Sequence, residues 1–175
     1  MKAVLINKIT PAESVALSEV KIPEVRPAWV LVKIKAFGLN HSEKILRLSE
    51  IEAPYIKKPI IPGIECAGVV ENPSDTDFKK GQKVIALMGG MGRSFNGSYA
   101  EYVLVPAKNI FAAESKLSWP ELGALPETYF TAWGSLFENL KLNPKDTLLI
   151  RGATCALGYA AVQMAKALGC KVIAT

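Results

Sequence analysis

The stretch Thr147-Leu148-Leu149-Ile150-Arg151-Gly152-Ala153-Thr154-Cys155-Ala156-Leu157-Gly158-Tyr159-Ala160-Ala161, followed by Lys171-Val172-Ile173-Ala174-Thr175, decides how this chain is read. Thr147 to Ile150 has β propensity with apolar residues on both faces, the pattern of a strand buried inside a parallel sheet. Residues 152–158 form a loop of small side chains. From Leu157 onward, apolar residues fall at 157, 161, 164, 165 and 168, which is helical spacing, and Gly169 stands where a left-handed residue ends a helix. Lys171 to Thr175 is a second β run. Strand, loop, helix and strand make one βαβ unit, whose crossover is right-handed in nearly every case.

A loop that follows a buried strand and opens into a helix aims the helix's free N–H groups and positive dipole end at whatever lies in it. That is an anion site suited to a pyrophosphate. A dinucleotide loop wants glycine at three offsets, for the tight turn, for backbone approach to the phosphates and for helix–strand packing. Here the offsets hold Ala153, Cys155 and Gly158, with Gly152 one residue earlier, so only the packing glycine is intact. Taken alone, the loop serves either a nucleotide or ordinary close packing. Cys155 is small enough for the phosphate-approach position. A thiol at a helix amino terminus also meets one condition for a nucleophile, but no His lies nearby in sequence to act as its base.

Upstream, Ser118-Trp119-Pro120-Glu121 signals a helix start, with Ser118 as N-cap, Glu121 as its capping-box partner and Pro120 in the first turn. Pro126 interrupts the helical stretch, which predicts a short helix to 125 and a second over 127–140. Residues 1–112 have another texture, short β-rich runs between Pro, Gly and Asn turns, as in a small barrel or sandwich. The predicted strands are 2–6, 16–21, 29–36, 66–71, 83–87 and 99–105. A short helix over 42–48 interrupts them, with Ile45, Leu46 and Leu48 sharing a buried face. Trp29, Trp119 and Trp133 are read as core or interdomain packing.

Composition narrows the classes. Of 175 residues, 50% are hydrophobic and 21% charged, which excludes the disordered class and fits a chain able to bury a core. No apolar run approaches the roughly 18 residues that cross a bilayer, and the four apolar residues before Asn7 fall short of a signal peptide's apolar region of about 7 to 15. A cytoplasmic protein without membrane attachment is expected. Cys66, Cys155 and Cys170 are widely spaced and odd in number, so reduced, mostly buried thiols are expected. The net charge of +5 comes from dispersed Lys and Arg with no basic stripe, which argues against nucleic acid and leaves an anionic small molecule open.

The order of motifs carries a resemblance. Gly38-Leu39-Asn40-His41-Ser42-Glu43 precedes Pro62-Gly63-Ile64-Glu65-Cys66-Ala67-Gly68-Val69-Val70-Glu71. Gly97-Ser98-Tyr99-Ala100-Glu101-Tyr102 comes next, then Thr131-Ala132-Trp133 and the 152–161 loop. Across essentially its whole length the chain resembles the medium-chain dehydrogenase/reductase superfamily, most closely its zinc-independent quinone oxidoreductase branch. The resemblance implies a mixed α and β fold. Residues 1–122 would be a GroES-like β-barrel catalytic domain. Residues 123–175 would be linker helices and the first βαβ unit of a doubly wound Rossmann domain, cut just after its second strand.

It also implies roles. A nicotinamide cofactor, NADPH rather than NADH, would deliver hydride to a quinone or α,β-unsaturated carbonyl. Asn40 would lie near the nicotinamide and polarise the substrate, with Arg47 close to the active site. Thr131 would stand beside the nicotinamide, and Gly152, Ala153, Cys155, Ala156, Leu157 and Gly158 would hold the pyrophosphate. The bland alternatives are a turn residue for Asn40, an exposed helix residue for Arg47, a Thr bonding its own backbone for Thr131 and helix-on-strand packing for the loop. Zinc-dependent members carry Cys where this chain has Asn40 and His where it has Ile64. Independently, His41, Glu65 and Cys66 are the only plausible metal cluster, and adjacent strand residues Glu65 and Cys66 point to opposite faces, so no zinc is expected.

Many members of the branch carry a Tyr where this chain has Ile45, which weakens the case for a quinone. The residue that selects NADP over NAD lies about 20 positions past the glycine loop, just beyond Thr175. The chain alone is expected to be inactive, and a homo-oligomer stays open. The competing expectation is a non-catalytic GroES-like module that acts only in association with another chain.

Overall fold

In the computed structural model, which describes residues 1–175, period-two alternation builds the first of two units, Met1–Pro126. Strands β1 (Lys2–Val4) and β2 (Leu17–Glu19) form an antiparallel pair. Strand β3 (Trp29–Ala36) turns Val30 and Val32 inward and Lys33 and Lys35 outward. After α1 (His41–Leu48) come β4 (Glu65–Asn72), β5 (Lys83–Leu87), β6 (Tyr102–Pro106) and β7 (Ile110–Ala112). Five strands join in one antiparallel sheet in the order β6-β3-β4-β5-β7. Its core gathers Val30, Val32, Cys66, Val70, Val84, Val103, Val105 and Ile110. A second cluster, Ile6, Leu46, Ile51, Ile56 and Ile60, seats α1. The unit closes with α2 (Trp119–Gly123).

The second unit, Glu127–Thr175, is entered through α3 (Pro126–Trp133), which continues as a π-helical turn over Gly134–Asn139. Strand β8 (Thr147–Ile150), α4 (Ala156–Leu168) and β9 (Lys171–Ala174) complete the βαβ unit, with β8 and β9 parallel. Gly169 ends α4 at φ +93°, as its position predicts.

Several expectations need correction. Strand β7 is absent from the predicted set: three residues with two exposed side chains carry too little pattern, and pairing with β5 creates the strand. On α1, Leu46 is fully buried but Ile45 and Leu48 are exposed. The covered face carries Glu43 and Leu46, three residues apart, and one stripe cannot also include 45 and 48. In β8 only Ile150 is buried and Leu149 is 59% exposed, because β8 has a single neighbouring strand. Of the thiols, Cys66 is buried, Cys170 is half-buried and Cys155 is exposed at a helix end. Trp133 is 44% exposed, while Trp29 and Trp119 are half-buried beneath the cations of Arg26 and Lys83.

Candidate functional site

Two regions carry the chemistry, one in each unit. In the first, the end of β3 runs through Phe37-Gly38-Leu39 into Asn40, the N-cap of α1. Asn40 and Glu43 form a capping box in which the Glu43 carboxyl accepts the Asn40 backbone N–H at 2.8 Å. The other Glu43 oxygen accepts the Ile64 N–H at 3.1 Å, tying α1 to the residue before β4. Burial raises the Glu43 carboxyl above its ordinary value against the opposing pull of these amides and of Arg93. The Asn40 side chain donates from Nδ2 to Oε1 of Glu65 at 2.8 Å, and Glu65 is itself buried. Glu65 and Cys66 do face opposite ways. Cys66 sits in the sheet core, where burial pushes its thiol up to about 12, while Glu65 reaches back over Gly38.

The backbone around Gly63 holds this arrangement. Gly63 has φ +104°, open to glycine, and a Cβ there would lie 2.3 Å from Ser98 Oγ. The adjoining chains are joined by bonds from Gly97 N–H to Ile61 O and from Tyr99 N–H to Pro62 O. Tyr99 thereby lines the same cleft as Asn40 and stacks on Phe37 with ring centroids 4.8 Å apart. Burial first, then the charges of Glu43 and Glu65, raise its phenol well above the usual value, with Arg47 opposing.

These side chains line a cleft of about 260 Å³ whose walls are Val4, Ile6, Val15, Leu39, Pro62 and Tyr99 and whose polar groups are Asn40, Glu43, Lys44 and Arg47. An apolar hollow of about 440 Å³ adjoins it through Val4, Val15, Leu39 and Tyr99 and extends to Leu17 and Phe37. Arg47 is half-buried, its Nη1 donating to Thr10 O at 2.9 Å, and the Thr10 N–H returns a bond to Arg47 O. The fold thus brings Asn40 and Arg47 to one cleft. Sequence reading passed over Glu43 and Tyr99 there and weighed Glu65 only as a metal ligand. The spacing of Asn40 and Glu43 is a visible capping-box signal, whereas nothing local announces that Glu65 reaches Asn40 or that Tyr99 lines the same cleft.

In the second unit, Gly152 has φ +72° and open space where a side chain would stand. A Cβ on Gly158 would lie 2.3 Å from Gly152 O, so this glycine sets the approach of α4 to the loop. The Gly152 and Ala153 N–H groups donate to Thr175 O, and the Gly158 N–H donates to Cys155 Sγ at 3.3 Å. The N–H groups of Ala156 and Leu157, in the first turn of α4, have no carbonyl one turn back to accept them and are the donors an anion would meet. Thr131 donates from Oγ1 to Glu127 Oε1 at 2.9 Å, a side-chain partner one turn back rather than a backbone carbonyl.

Comparison with known proteins gives a consistent picture. The family model for the alcohol dehydrogenase GroES-like domain matches residues 26–115. Human quinone oxidoreductase is 31% identical over the whole chain, which covers 52% of that protein. The quinone oxidoreductase of Thermus thermophilus, solved alone and with NADPH, superposes with a TM-score of 0.79 at 31% identity, over 99% of this chain and 52% of that one. A cobalt- and zinc-bound thermostable alcohol dehydrogenase from Pyrobaculum aerophilum superposes at 0.86 with 30% identity, over 99% and 59%. The chain spans about half the length of the curated relatives it matches.

Proposed function

Since this chain belongs to the medium-chain dehydrogenase/reductase superfamily, as a quinone oxidoreductase-like member with a GroES-like domain and the start of a Rossmann domain, we propose that it serves zinc-independent reduction of a quinone or α,β-unsaturated carbonyl by NADPH. The observation that carries the reading is the cleft in the first unit, apolar along its walls with the Asn40 amide at its polar end. A reductase without a metal stabilises charge developing on a carbonyl oxygen through placed hydrogen-bond donors. Asn40 supplies such a donor, and Arg47 adds positive charge beside it. The nicotinamide, when bound, supplies the hydride.

The residues present fit a dinucleotide's pyrophosphate. The open space over Gly152 and the first-turn amides of Ala156 and Leu157 offer an anion both room and donors. They do not fit a catalytic zinc. No three His, Cys, Asp or Glu side chains stand together, and Glu43 and Glu65 are engaged by the Asn40 and Ile64 amides. A second reading, a non-catalytic module acting in association, draws on the exposed Leu149 and Ile173 of β8 and β9, which leave an apolar face open to a partner.

Titrating the chain with NADPH and following cofactor fluorescence separates the two. Saturable binding is expected, and Gly158→Val should abolish it by forcing α4 away from the loop. Absence of saturable binding in the unmodified chain removes the catalytic reading for these 175 residues and leaves the associating module.

A further inference from the structure

An asparagine amide offers one acceptor and two donors, and its two flipped orientations differ only by the partners that meet them. In this cleft the partners leave no choice. The Glu65 carboxylate can only accept, so the amide nitrogen and not the oxygen must face it, and one Nδ2 proton goes to Oε1 of Glu65 at 2.8 Å. One N–H remains. We propose that Glu65 is a positioning residue that holds Asn40 in a single amide orientation, so that the remaining N–H meets the carbonyl oxygen of a ligand in the cleft. The inference rests on the reading of the cleft as a carbonyl site and adds the residue that orients its donor.

The arrangement is built rather than incidental. Glu65 is only 2% exposed, and its carboxyl lies over Gly38, where a Cβ would come within 2.1 Å of Oε1. A side chain at position 38 would therefore displace the carboxyl from Asn40. Glu43 fixes the same asparagine from the other side, accepting its backbone N–H and binding Ile64, the neighbour of Glu65. Backbone and side chain of Asn40 are thus each held by a buried carboxyl. A donor oriented before the ligand arrives needs no reorganisation when negative charge grows on the ligand oxygen. An acceptor on one amide proton also polarises the group and strengthens the other as a donor.

The test uses the ¹⁵N-labelled chain, with the Asn40 Nδ2 resonances identified by their loss in Asn40→Asp. The probe is cyclohexanone, a carbonyl compound without the double bond that would react with the exposed Cys155 thiol. In the unmodified chain one Nδ2 proton should be protected from solvent exchange and unmoved by the probe, while the other shifts with it. Two variants remove the partner by different routes, Glu65→Met by deleting the acceptor and Gly38→Ala by displacing it. In either, the protection should vanish and cyclohexanone binding weaken about tenfold, the equivalent of one hydrogen bond. If a folded variant keeps both the protection and the probe response, Glu65 does not position Asn40 and the proposal falls. If the protection is present and lost as expected but cyclohexanone shifts nothing in any chain, Glu65 still positions Asn40 and the carbonyl reading of the cleft is what fails.

Discussion

Glu43 shows how one side chain ties local structure to the cleft. It caps α1, anchors Ile64 and is buried, and burial outweighs the amides of Asn40 and Ile64 and the charge of Arg93 in raising its carboxyl from the ordinary value of 4.5. The folded chain therefore binds this proton more tightly than the unfolded chain. The stability so gained is complete below the ordinary value and is lost as pH rises through the raised folded value. In urea unfolding across the acid range, the stability of the unmodified chain relative to Glu43→Gln should fall as pH rises through that window. A difference constant with pH would contradict the shift.

At the scale of elements, α1 and α4 are held by different means. Helix α1 depends on Leu46, fully buried among Ile6, Ile51, Ile56 and Ile60, so Leu46→Ala should cost about 2–5 kcal/mol. Ile45→Ala, on the exposed face one residue away, should stay within about 0.5 kcal/mol, and the pair of chemical denaturation midpoints measures the contrast. Helix α4 starts with Cys155, whose sulfur accepts the Gly158 N–H at 3.3 Å. Sulfur is a weak acceptor and Ser is a strong N-cap. Cys155→Ser should stabilise the second unit by about 0.5–1 kcal/mol, seen as a later thermal transition of the α4 amides. An unchanged or earlier transition would mean that the thiol fits this cap as well as a hydroxyl.

For the molecule as a whole, the two units differ in how much apolar surface they cover. The first surrounds a sheet of five strands, while the second has one buried side chain in β8 and none in β9. Opening free energy follows covered apolar area and protected backbone bonds. Hydrogen exchange should therefore be faster at β8 and β9 than at β3 and β4, and equal protection would show that the second unit is better covered than its exposed Leu149 and Ile173 imply. The sequence by itself determined much of this protein. Period-two runs placed β3 and β5 at their observed ends, helical spacing with Gly169 placed α4, and Ser118 with Glu121 placed the start of α2, because each signal lies within a few residues of chain. The motif order pointed to the superfamily, and it named Asn40 and Arg47 as candidates, which the fold brings to one cleft. What only the tertiary structure decided lies between distant segments: the bond from Asn40 to Glu65 across 25 positions, Tyr99 lining the same cleft as Asn40, and β7 formed by its partner. Local sequence dictates local backbone geometry, but the direction of a buried polar side chain is fixed by the group it must satisfy, and that group is known only once the chain has folded.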